Sequence, residues 1–142
     1  MPERGHAAVE FALAVGLLLL PVAITVLAFG PWSERRVVAE AAAAEAARTA
    51  VVSLDLSRGS HVVSEIGGNH GLAPESIQLS WCGSEPGPAE ASIAGCSLAR
   101  GSEVVAEVRI WAPLVTTPWG PVGGLWVTGA HAEAVDLYRS LG

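Results

Sequence analysis

From Phe11 to Phe29 the chain runs 19 residues without a charge. At 1.5 Å per residue a helix over this run covers about 28 Å, close to the hydrocarbon thickness of a bilayer. A secretory signal has a shorter apolar core followed by a small-residue cleavage site. No Ala-x-Ala site with a polar start closes this run, so the pattern predicts a retained membrane helix over residues 6–30, preceded by a short polar leader, residues 1–5. Pro21 is expected to kink it, because proline removes one backbone bond and crowds the preceding turn. Gly30-Pro31 predicts an interruption where the chain leaves the bilayer, with Ser33 as N-cap and Glu34 in the first turn of a renewed helix.

Residues 34–56 read as strongly helical. An Ala-rich run carries Arg35, Arg36, Glu40, Glu45 and Arg48 as its polar positions, and Val37, Val38, Val51, Val52 and Leu54 as its bulkier contacts. A nearly continuous helix from Ala7 to Leu56 would extend about 75 Å, too long for one globular helix and suited to a stalk, residues 31–57. After Ser57 the periodicity changes. Ile77, Leu79 and Trp81 alternate with polar neighbours, and Val104, Ala106, Val108 and Ile110 alternate with Glu103, Glu107 and Arg109. Both patterns predict half-buried strands. A Pro/Gly-rich connection, residues 113–124, leads to a third strand from about Trp126 to Leu137. The expected fold is α+β: a long membrane-spanning helix continuing as a stalk, packed on a small antiparallel sheet of about three strands within residues 58–142.

Composition narrows the function classes. The net charge of −6 and pI near 5.1 argue against a nucleic-acid surface, which needs clustered cations. All eight cationic residues are Arg, which fits a GC-rich coding bias, as in actinobacteria. Cys82 and Cys96 fall in the C-terminal half. A bridge between them would close a loop over residues 83–95, worth about 3 kcal/mol in the chain-entropy model. Two buried thiols are the alternative; an extracytoplasmic location favours the bridge, since disulfides persist in oxidising compartments.

The N-terminus carries the densest chemistry. Glu3-Arg4-Gly5 is followed by His6-Ala7-Ala8-Val9-Glu10-Phe11 and then by the apolar run. Arg4 and the starting amine hold the leader on the cytoplasmic side. Gly5 offers a peptidase bare backbone beside the membrane surface. Glu10, the fifth residue after that glycine, heads the membrane segment. A carboxylate there is costly enough to be a functional-site hypothesis in its own right. Its structural alternative is an interfacial acid that favours the helix N-terminal dipole.

At these residues the chain resembles the pilin family, specifically the TadE-like minor pilins (pseudopilins) of tight-adherence (Tad, Flp-type) type IV pilus systems. The matching residues are Glu3-Arg4-Gly5, Val9-Glu10-Phe11-Ala12, and Leu17 to Leu20 with Pro21. The resemblance implies that a prepilin peptidase cuts between Gly5 and His6. It also implies that Glu10, beside Phe11, pairs with a newly made N-terminal amine in the same subunit or a neighbour. The specific match covers roughly the first 30 residues, and the remainder matches in layout. Major Flp pilins are very short and lack a globular domain, which places this chain with the minor pilins. The expected partners are the prepilin peptidase, other Tad pilins, assembly-platform proteins and the lipid bilayer. No nucleic acid, cofactor, metal or catalytic residue is expected. Arg35 and Arg36 outnumber Arg4, so charge bias alone does not orient the span. An N-in, C-out arrangement rests on the leader and the expected disulfide. The alternative function is an unprocessed single-pass membrane protein with an extracytoplasmic partner- or ligand-binding domain.

Other motifs carry less. His131 and Glu133 form an H-x-E, yet no Pro-Cys-x-x-Cys follows, and Cys82 and Cys96 lie upstream with the wrong spacing for a zinc deaminase. His61 and His70 fall in expected loops, Ser80 and Ser140 sit in no nucleophile motif, and the Gly67-Gly68 and Gly123-Gly124 pairs read as turns. Among the five tryptophans, Trp32 follows the span where an interfacial anchor belongs, and Trp81, Trp111 and Trp126 fall in strands. Trp119, in a Thr-Pro-Trp-Gly-Pro turn near Val122 and Leu125, is either part of a partner-binding patch or a lid folded back on the sheet.

Overall fold

The computed structural model describes residues 6–89 and 96–138. The fold is α+β, as the pattern predicts, with four strands in place of three. One helix, α1 (His6–Ser53), runs unbroken through both the apolar run and the Ala-rich stretch. At 1.5 Å per residue its 48 residues extend about 70 Å. Pro21 and Pro31 both lie inside it, so Gly30-Pro31 does not interrupt the helix. Ser33 is accordingly not an N-cap: its hydroxyl donates to the Gly30 carbonyl at 2.9 Å. Contacts span the proline on one side of the helix. The Phe29 and Trp32 rings are 5.4 Å apart, and the Arg36 guanidinium stands 5.8 Å from the Trp32 ring centroid. That cation–π contact and the Arg36–Glu40 ion pair at 3.0 Å support the turn after Pro31.

α1 ends three residues before the expected Leu56. Leu54 adopts a left-handed backbone with φ of 56°, turning the chain at a position where glycine is usual. Asp55 then caps a second helix, α2 (Leu56–Asn69), by accepting from the Ser57 N–H at 2.9 Å. Helix α2 was not expected. It buries Leu56, Gly59, Ser60, Val63 and Gly67, one face at helical spacing, against α1 and the sheet.

After a one-turn 3₁₀ helix at Pro74–Ser76 come β1 (Ile77–Trp81), β2 (Gly87–Pro88), β3 (Glu103–Thr117) and β4 (Gly120–Ala134). They form one antiparallel sheet in the order β2-β1-β3-β4. The short β2 supplies the extra strand. β3 and β4 form a long hairpin that runs through the Pro/Gly-rich residues 113–124, which therefore are strand and not a connection. Its register opposes Pro113 to Gly124, Val115 to Val122 and Thr117 to Gly120, leaving only Pro118 and Trp119 in the turn. Pro113 is tolerated because β1 reaches only to Ile110 of β3, so that edge has no ladder to break.

The core lies between the sheet and the C-terminal half of α1. Val104, Ala106, Val108, Ile110 and Ala112 bury the alternate positions of β3, and Ile77, Leu79 and Trp81 those of β1. From α1 come Val38, Ala39, Ala42, Ala43, Ala46, Ala47, Ala50 and Val51, pairs repeating every four residues. The six alanine methyls of this face let the sheet lie against the helix backbone. At Gly129 of β4 an added Cβ would meet the backbone of Ala39 and Glu40, with the Ala39 carbonyl oxygen at 2.6 Å. The Trp81 ring is fully buried beside Gly59, and its Nε1–H donates to Ser60 Oγ at 3.3 Å.

Candidate functional site

Three regions bear on function: the first turns of α1, the Cys82–Cys96 link and the far end of the β3–β4 hairpin. At the first, Gly5 lies outside the described residues, and of His6 only the backbone, which opens α1, is described. Glu10 falls in the second turn and is exposed, next to Phe11, which is also exposed. Glu10, Leu13, Leu17 and Leu20 share one exposed face of the helix, and Ala8, Ala12 and Gly16 form a row of small residues farther round it. Leucines spaced by three and four beside small residues spaced by four make a surface another helix can approach closely. A Cβ on Gly16 would touch nothing within 4 Å, so nothing else in the described chain packs there. α1 is the one described helix long and apolar enough to cross a membrane.

Cys82 and Cys96 are joined, with Cα atoms 5.4 Å apart. Cys82 follows the last residue of β1, and its N–H donates to the Val105 carbonyl at 2.8 Å. The bridge therefore ties the segment after β2 to the edge of the central strands. It closes a loop that the sheet alone leaves open.

The third region develops the expected patch of Trp119, Val122 and Leu125. All three stand on one hairpin, but they do different things. Trp119 is 93% exposed in the turn, which rules out a lid folded back on the sheet. The Thr117 hydroxyl donates to the Gly120 carbonyl at 2.7 Å and pins the turn that carries it. Val122 opposes Val115, and both are exposed. Leu125 turns toward α1: with Ala112, Pro113 and Leu114 it forms one wall of an apolar cleft of about 450 Å³ whose other wall is Ile24, Thr25, Phe29 and Trp32. Trp32 is thus half-buried beneath the hairpin.

Sequence reasoning missed Leu114 and the cross-strand pair of Trp111 and Trp126, whose rings meet edge to face at 5.4 Å. The Trp111 ring lies across Gly124, where a Cβ would collide with it. One signal was available: no charged side chain occurs between Arg109 and His131. His131 and Glu133 form an exposed pair at 3.4 Å, and no third metal-ligating side chain joins them among the described residues. His61 is on α2 rather than in a loop, within 3.5 Å of Glu65.

Comparison with protein-family models, with curated proteins and with solved structures gave no match.

Proposed function

We propose that this chain is a TadE-like minor pilin of a Tad-type pilus, cut by a prepilin peptidase between Gly5 and His6 and acting in pilus initiation or assembly. The observation that carries this reading is Glu10, an acid five residues after a glycine, at the head of an uncharged helical run that continues without a break into a rigid stalk. Cleavage would free an amine on His6, one turn from Glu10. A helix that must leave the bilayer and stack beside copies of itself needs both a compensated charge and a closely approachable side. Glu10 supplies the charge, and the row of Ala8, Ala12 and Gly16 farther round the helix supplies the approachable side. The sheet domain would face the exterior, where the Cys82–Cys96 bridge persists, and would meet other pilins and the assembly platform.

Mass spectrometry of the membrane-extracted N-terminus tests the proposal. A chain beginning at His6, and reverting to full length on Gly5 substitution or peptidase deletion, is the expected result. A full-length chain in peptidase-positive cells sinks it and leaves an unprocessed single-pass membrane protein with an extracytoplasmic binding domain.

A further inference from the structure

We propose that the far half of the β3–β4 hairpin, residues 111–126, is a second membrane contact, with Trp119 seated in the outer interfacial layer of the bilayer beside the span. This rests on the reading of the N-terminal half of α1 as membrane-spanning. Two contacts fix the direction of the hairpin along α1. Gly129 lies on Ala39 and Glu40, while Leu125 and Ala112 lie across the cleft from Ile24, Thr25 and Phe29. The turn at Pro118-Trp119 is the end of the same two strands, past Leu125 and remote from Gly129. Ile24, Thr25 and Phe29 belong to the uncharged run that fills the hydrocarbon thickness. A hairpin packed on them meets the outer edge of the bilayer at the same level.

Its surface has the chemistry for that place. Leu114, Val115, Val122 and Leu125 are all at least 40% exposed, and no charge lies between Arg109 and His131. In water these side chains would leave both faces of the hairpin's far end apolar and partly uncovered. Tryptophan is enriched at the headgroup level of membranes, where its ring is apolar and its N–H stays hydrated. The same structure sets a limit on depth. β4 is the edge of the sheet, and β3 beyond Ile110 has no partner on its other side. Among the described residues, backbone groups on those two edges have no ladder partner, which the hydrocarbon core does not tolerate. From its contact with Ile24 to Phe29, at the outer end of the uncharged run, the hairpin therefore turns along the headgroups instead of running down beside the span.

The test uses the full chain, disulfide intact, in phosphatidylcholine–phosphatidylglycerol vesicles. Nitroxide labels are placed singly by Trp119→Cys, Val122→Cys, Leu18→Cys in the span and Glu65→Cys on α2. All four side chains are exposed, so the fold tolerates the labels. Oxygen and a water-soluble nickel chelate report the surroundings of each label. The expected result is an oxygen-to-nickel accessibility ratio at 119 and 122 severalfold above that at 65, and below that at 18. A water-like ratio at 119 and 122 with a lipid-like ratio at 18 overturns the hairpin contact and leaves the span intact. A water-like ratio at 18 overturns both. If 119 is shielded from both reagents, with spin–spin broadening that grows with protein-to-lipid ratio, a second copy covers the hairpin and the lipid assignment fails.

Discussion

Two of the three glycines of helix α2, Gly59 and Gly68, should move stability in opposite directions when replaced by alanine. Alanine is favoured over glycine in a helix interior by about 1 kcal/mol, so propensity alone predicts a gain at both. At Gly68 a Cβ meets nothing within 4 Å. Gly68→Ala near the helix end should therefore stabilise by about 0.5–1 kcal/mol. At Gly59 the same Cβ would stand 2.7 Å from the Ala46 carbonyl oxygen and 2.8 Å from Trp81 Cη2. The first is backbone of α1. The second belongs to a ring that is fully buried and tethered by its bond to Ser60. Neither can retreat, and overpacking of this kind costs about 1–3 kcal/mol. After subtracting the propensity gain, Gly59→Ala should lose up to about 2 kcal/mol, a fall in Tm of up to several degrees. Thermal unfolding of the full chain in detergent, followed by the near-ultraviolet circular dichroism of the tryptophans, reads both variants on one scale. If Gly59→Ala unfolds at or above the wild-type temperature, the close approach of α2 to α1 and Trp81 is refuted. Gly68→Ala serves as the internal control for propensity.

Three further outcomes are expected. Gly129→Ala places a methyl against the α1 backbone, so sheet and helix must part, and urea unfolding should show a loss of about 1–3 kcal/mol. An unchanged midpoint would contradict the packing of β4 on Ala39 and Glu40. Replacing Cys82 and Cys96 by serine should cost about 3 kcal/mol through restored freedom in the unfolded chain, and reductant should bring wild type to the same midpoint as the variant. Asp55 accepts from the Ser57 hydroxyl at 2.6 Å and, secondarily, from its N–H at 2.9 Å, which holds its carboxyl below the usual value of 3.8. A depressed acid stabilises the fold above its ordinary pKa, and that contribution is lost as pH falls through the folded value. Unfolding midpoints should thus drop below about pH 4. Asp55→Asn, which keeps a capping oxygen, should flatten that slope; an identical slope in the variant assigns it to other acids.

The parts legible in the sequence were those where one strong periodicity governs. The uncharged run gave the membrane-length helix, and alternation gave β1 and the start of β3, because burial on one face leaves a regular record. The segment 113–124 misled because Pro and Gly usually mark loops. Here Pro113 sits where β1 has ended, and Gly124 sits where the Trp111 ring needs room. Both are strand positions explained only by neighbours. Helix α2 was hidden because its buried face is made largely of Gly59, Ser60 and Gly67, small residues with poor helix propensity. Their spacing was readable, but hydrophobicity did not mark it. Gly30-Pro31 was read as a break from local preference, whereas the helix continues across it with Phe29, Trp32 and Arg36 in contact. For the candidate site, the sequence supplied Trp119, Val122 and Leu125 as neighbours. The wall opposite Leu125, Ile24 to Trp32, is distant in the chain and was beyond any local pattern.

The continuity of α1 through Pro31 gives the protein an angular phase. The sheet is fixed to residues 38–51 at one end, and the hairpin reaches back to residues 24–32 of the same helix. No joint lies between these points, so the direction in which the sheet domain faces is set by the rotation of the helix that carries it. One residue inserted between Trp32 and Val37 would turn the domain by about 100° and lift it by about 1.5 Å. The cleft would then lose one of its walls. Seven inserted residues would nearly restore the facing, but at about 10 Å greater height. A partner that binds both the helix and the domain would read this angle much as a key is read by its cuts. Tolerance to insertions should follow the helical period and not the number of residues added.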